Sequence, residues 1–195
     1  MLESGYHDVP EGHTASVVTY LEMHGLPALR AVPEVELTLE RVTAPDLARY
    51  RALFRAVGGD YLWDARLQLD DAALKAILTD AQVHLYIARK GAADAGLLEL
   101  DFRAAGQCEL AYFGLAPDYV GGGAGRWLMT HALTKAWAQN ITRLFVHTCT
   151  LDHPNALAFY IRSGFRPYKR CVEISPDPRP TGRLPESAAP QIPRL

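Results

Sequence analysis

The run from Glu109 to Arg126, ELAYFGLAPDYVGGGAGR, constrains the fold of this chain more than any other. It reads as a β-strand up to Pro117, then a turn holding Gly121, Gly122, Gly123 and Gly125, then the first residues of a helix. Glycines let backbone N–H groups approach a ligand closely and converge on it. The helix adds its unpaired N-terminal donors and the positive end of its dipole. Strand, glycine turn and helix in this order make a grip for phosphate. Two familiar nucleotide folds use such turns, and neither fits. A dinucleotide fingerprint requires an acidic residue ~20 residues further on, where this chain has Asn140 and Arg143 and no acid before Asp152. A P-loop requires Gly-Lys-Ser/Thr, where the chain has Gly125-Arg126-Trp127.

Composition narrows the class further. A chain of 195 residues suits one domain with a sizeable core and short appendages. The formal net charge of −2 gives no electrostatic case for a nucleic-acid partner. No apolar run approaches the ~18 residues of a membrane span, and the start, MLESGYHDVPEGH, has no basic region followed by an apolar stretch. A cytoplasmic protein is expected. Cys108, Cys149 and Cys171 cannot all pair within the chain, so free thiols are expected. His147, Cys149 and His153 do not follow zinc-site spacing and lack a fourth ligand, so no metal is expected.

Along the chain, residues 1–34 read as a lead containing one extra β-prone run, Val17 to Met23. Val35 to Val42 alternates apolar and polar residues as a half-buried strand does. A helix follows, capped at Thr43 or Ala44, with Leu47, Tyr50, Leu53, Phe54 and Val57 as its apolar stripe. After an aromatic irregular stretch with Tyr61 and Trp63, a short helix starts at Asp70. Three strands at about 83–89, 96–102 and 108–116, joined by short turns, form an antiparallel meander. The helix from Ala124, a strand at 143–150, a helix at 154–162 and a strand at 165–174 complete a domain over 35–174. The tail, 175–195, holds six of the chain's prolines and is expected to be extended or disordered.

A second block lies downstream of the glycine turn: Asn155-Ala-Leu-Ala-Phe-Tyr160 followed by Ser163-Gly164-Phe165. The two blocks together resemble the GNAT superfamily of acyl-CoA N-acyltransferases, whose signature is Gln/Arg-x-x-Gly-x-Gly/Ala at the start of a helix. Val120 departs from it, standing where Gln or Arg is usual. The resemblance covers about 35–174. It implies an α+β fold with a mixed, mostly antiparallel twisted sheet, flanked by helices and with two central strands splayed apart. It also implies acetyl-CoA as acyl donor, a primary amine on a small molecule or peptide as acceptor, and direct transfer without a covalent acyl-enzyme. Family members often dimerise, and Val17 to Met23 offers a strand for pairing across subunits. A non-catalytic acyl-CoA-binding module on the same fold is the alternative.

By that resemblance Val120, Gly121, Gly122, Gly123, Ala124, Gly125 and Arg126 meet the pyrophosphate. Phe113, Gly114 and Leu115 border the pantetheine arm, and Asn155 bonds that arm or caps its own helix. Amine acetylation needs a base, because a free alkylamine of pKa ~10.4 is mostly protonated at neutral pH. Glu109, eleven residues before Val120, matches the base position of histone-acetylating relatives. His147, on the next strand, lies about where N-terminal acetyltransferases place a glutamate and has the intrinsic pKa to accept a proton. Glu99, between Leu98 and Leu100, is a further carboxylate. Tyr160 matches the tyrosine that protonates the departing thiolate. Tyr61 and Trp63 lie where relatives build a substrate wall.

Overall fold

A computed structural model describes residues 3–194. In chain order it contains β1 (His13–Met23), β2 (Thr38–Val42), α1 (Leu47–Gly58), α2 (Asp71–Leu78), β3 (Val83–Lys90), β4 (Ala93–Asp101), β5 (Gln107–Leu115), α3 (Ala124–Trp137), β6 (Arg143–Cys149), α4 (Ala156–Arg162) and β7 (Arg166–Pro176). The strands form one sheet in the order β2-β3-β4-β5-β6-β1-β7. β5 and β6 run parallel and the other neighbours antiparallel. The expected α+β fold with a mixed, mostly antiparallel sheet is present. No helix among the described residues is long and apolar enough to cross a membrane.

Each face of the sheet buries its own helices. On one side Tyr50, Leu53, Phe54 and Val57 of α1 and Leu74 and Leu78 of α2 pack on Leu85, Ile87 and Leu97. On the other, Leu128, Met129, Ala132, Leu133 and Ala136 of α3 pack with Tyr160 on Leu98, Leu100, Leu110, Leu144 and Val146. The helical period predicted both stripes. The cap of α1 differs from expectation. Asp46 takes that place, its carboxylate accepting from the Arg49 N–H at 3.0 Å, so Pro45 precedes the helix.

Two terminal segments expected outside the domain are built into it. β1 lies between β6 and β7 of its own chain, with Tyr20 opposite His147 on one side and Lys169 on the other. The run expected to offer pairing across subunits is therefore paired on both edges within the chain. The proline-rich tail packs too. Leu184, Ala188 and Ala189 bury against Leu62. Buried Arg179 forks onto Asp177 and donates to the carbonyls of Ala188, Ala189 and Ile192 at 3.1, 3.3 and 3.0 Å. Proline removes backbone donors and leaves carbonyls without chain partners. One guanidinium supplies them, which a composition argument for disorder does not see.

Candidate active site

β5 and β6 separate at a defined rung. Their parallel pairing covers Gln107 with Arg143, Cys108 with Leu144 and Glu109 with Phe145. Beyond it β5 continues to Leu115 and β6 to Cys149 without pairing, which opens a wedge between them. On its other edge β5 carries a bulge: Glu99 faces Tyr112 while Leu100 faces Leu110, leaving Ala111 as the extra residue. The bulge turns Tyr112 toward the α1 side, while Leu110 and Phe113 belong to the α3 side.

The wedge opens into a cavity of about 490 Å³ lined, among others, by Phe113, Gly114, Leu115, Val120, Gly125, His147, Asn155 and Tyr160. A second cavity of about 280 Å³ lies over the glycine turn, bordered by Gly121, Gly122, Gly123, Gly125 and Arg126. Ala124, the first residue of α3, is buried behind the turn and lines neither cavity. Gly122 has φ +54° and open space where a Cβ would stand. Gly123 differs: a Cβ there would lie 2.1 Å from Pro33 Cγ. The β1–β2 connection thus straps the turn, and Arg126 Nη1 donates to the Ala31 carbonyl at 3.1 Å. That strap brings Arg30 to the cavity beside Arg126 and Arg162. Backbone donors, a helix start and three guanidiniums can hold a multiply charged phosphate group there. Arg30 and Arg162 escaped the sequence reading, because no local pattern links residue 30 to residue 121.

Glu109 and His147, expected as alternative bases, are brought together. The parallel rung puts Glu109 and Phe145 on one face of the sheet, and the period of two puts His147 there as well. His147 Nδ1 stands 3.5 Å from Glu109 Oε1. The Glu109 carboxylate, helped by Asp152 and Glu173, raises the imidazole pKa above its ordinary value against a smaller opposing effect of burial. His147 lines the cavity and Glu109 stands behind it.

Glu99 is not available as a base. It is fully buried, bonded by Arg66 at Oε1 and by the Tyr50 hydroxyl at Oε2, 3.0 Å away. Tyr160 is buried among Phe113, Phe159 and Phe165 yet lines the cavity. Burial, with Asp152, pushes its phenol pKa well up, so it holds its proton at neutral pH. Asn155 occupies the cap position of α4 but its side chain makes no capping bond, and it lines the cavity.

Trp63 and Tyr61 both form part of the cavity wall. Its indole N–H donates to Asp152 Oδ1 at 2.8 Å. Asp152 Oδ2 also accepts from the Thr148 hydroxyl at 2.7 Å and the Cys149 N–H at 2.9 Å. Asp152 was missed in the sequence, although an Asp closing a turn just after a strand is a signal for backbone capture.

The acetyltransferase (GNAT) family model matches residues 50–165. The chain belongs to this family. The match spans the wedge, the glycine turn and the Asn155–Phe165 block. Solved structures share the GNAT fold at low identity. A GCN5-related N-acetyltransferase from Sphaerobacter thermophilus has a TM-score of 0.59 at 14% identity, over 88% of this chain and 53% of that one. A functionally unknown conserved protein from Staphylococcus epidermidis has a TM-score of 0.54 at 11% identity, over 85% of this chain and 64% of that one. This GNAT chain therefore spans between half and two thirds of either. An aminoglycoside acetyltransferase from an uncultured soil metagenomic sample has a TM-score of 0.51 at 19% identity, over 66% of this chain and 87% of that one. No curated protein matches the sequence.

Proposed function

We propose that this GNAT-family protein transfers an acetyl group from acetyl-CoA directly to a primary amine. The observation that carries the proposal is the junction of two cavities. One is a phosphate-sized space ringed by Gly121, Gly122, Arg30, Arg126 and Arg162, and the other is the wedge that ends at His147 and Tyr160. Both contain Gly125 and Phe159, so an extended ligand anchored by its phosphates reaches the wedge. The unpaired edge of β5 offers backbone groups to its amide-bearing arm, and Asn155 a side-chain partner.

His147 acts as the base. Neutral imidazole accepts the ammonium proton, and Glu109 stabilises the imidazolium that results. A backbone N–H on the unpaired β6-facing edge of β5 stabilises the developing oxyanion. Tyr160, kept protonated by its surroundings, donates to the departing thiolate. Cys108 is buried away from the cavity, and burial raises the thiol pKa of both Cys108 and Cys149. Raised thiols disfavour a covalent acyl-cysteine route.

Calorimetry of acetyl-CoA binding to wild type and Gly122→Asp tests the proposal. The left-handed φ tolerates Asp, and the added carboxylate points into open space beside three arginines. Affinity should fall at least tenfold, which is ~1.4 kcal/mol. Equal affinity in a folded variant refutes the placement. Acetyl-CoA binding without CoA release for any amine supports the non-catalytic alternative.

A further inference from the structure

We propose that the acceptor is a monoamine with a compact aromatic or other apolar body, and not a polycation. The proposal rests on the acetyl-transfer function above and deepens it. On the acceptor side of Tyr160 the cavity is walled by Tyr61, Trp63 and Tyr112. The Tyr61 and Trp63 ring centroids lie 6.5 Å apart, and those of Trp63 and Tyr112 5.5 Å. Phe54 backs both, 5.9 Å from Trp63 and 4.8 Å from Tyr112. A wall braced this way is rigid and presents flat apolar surface at little entropic cost.

The two carboxylates that line the cavity at that wall, Asp152 and Asp64, already accept hydrogen bonds. Asp152 accepts from the Trp63 indole, the Thr148 hydroxyl and the Cys149 N–H. Asp64 accepts from Gln68 Nε2 at 2.9 Å and from Arg183 Nε at 3.1 Å. The Arg66 guanidinium lies 4.9 Å from the Tyr112 ring centroid, its charge already paired with buried Glu99, so it adds no acceptor for a cation behind the wall. A cation seated there would lose water and find the Asp152 and Asp64 oxygens already occupied by hydrogen bonds. Around His147 the lining is different: Glu109, beside it, and Glu173 supply negative charge where the reacting amine must arrive. One ammonium is drawn to one end, and the rest of the acceptor is sorted by apolar contact. A second ammonium would have to be seated against the rings.

The experiment compares 2-phenylethylamine with spermidine and with the aminoglycoside sisomicin, using the full chain. Binding of each amine to the CoA-loaded protein is measured by calorimetry, and turnover by CoA release. The proposal expects kcat/KM for 2-phenylethylamine to exceed that for either polycation at least tenfold. It also expects Trp63→Ala to raise the KM for that amine about tenfold and leave the KM for acetyl-CoA unchanged. Tyr61→Ala, at the half-exposed rim, provides the same comparison should Trp63→Ala fail to fold. Equal or better use of spermidine or sisomicin overturns the proposal, as does absence of saturable 2-phenylethylamine binding to CoA-loaded protein. Failure to bind acetyl-CoA removes the transferase function and this proposal with it, and the first titration shows which has failed.

Discussion

Arg66→Met tests the joint on which the acceptor wall hangs. Arg66 belongs to the segment between α1 and α2 that also carries Tyr61 and Trp63, and it bonds the fully buried Glu99. Methionine keeps most of the stem's volume but removes the charge, leaving a buried carboxylate with the Tyr50 hydroxyl as its side-chain donor. Breaking a buried ion pair from one side costs ~3–5 kcal/mol. Against a typical total of ~5–15 kcal/mol that is a large share. At ~2–4 °C per kcal/mol for a chain of this size, the melting midpoint should fall by roughly 10 °C. Adding Glu99→Leu removes the second charge. The double variant should recover most of the loss, because an apolar pair of similar volume is often neutral or better than a buried ion pair. Urea unfolding of the four proteins in the cycle measures both quantities. In folded Arg66→Met protein the loosened segment should raise the KM of the acceptor without changing that of acetyl-CoA. A loss below ~1 kcal/mol, within the range of exposed ion pairs, would show that the pair is not desolvated. Additive costs in the double variant would refute the coupling.

Three further outcomes are expected. Glu109 favours protonated His147, so the acidic limb of kcat/KM, set by loss of the neutral base, lies above that of an ordinary imidazole at ~6.5. Glu109→Gln should move that limb to lower pH and His147→Gln abolish it; a limb unmoved in both variants removes the pair from the reaction. Tyr160→Phe should leave acetyl-CoA affinity intact and slow turnover by ~10²-fold on an amine for which chemistry limits the rate, the range for losing a general acid; wild-type kcat there excludes Tyr160 as proton donor. Arg30→Ala and Arg162→Ala should each weaken acetyl-CoA binding about fivefold at low salt, ~1 kcal/mol for an exposed charged contact, and much less at high salt; unchanged low-salt affinity would show that the guanidiniums do not reach the phosphates.

Local chemistry made much of this protein legible in its sequence. The glycine turn, the helix stripes, the alternating strands and the Asn155–Tyr160 block each depend on residues a few positions apart, and periodicity and backbone permissiveness are local properties. They suffice for the family, the fold class and most of the residues around the wedge. Tertiary structure decided what depends on distant partners. The parallel register of β5 and β6 turned Glu109 and His147 from rival bases into one pair, since register is set by packing of whole faces and no short pattern encodes it. Burial against α1 committed Glu99 to Arg66 and Tyr50, a fate its apolar flanks could not distinguish from service as a base. Insertion of β1 between β6 and β7 carried Arg30 and Pro33 to the glycine turn, which a composition-based boundary at residue 34 had set apart. The tail folded back because buried Arg179 answers carbonyls that proline cannot pair. In each case the deciding partner lies far away in the chain, and only the closed core brings the two within bonding distance.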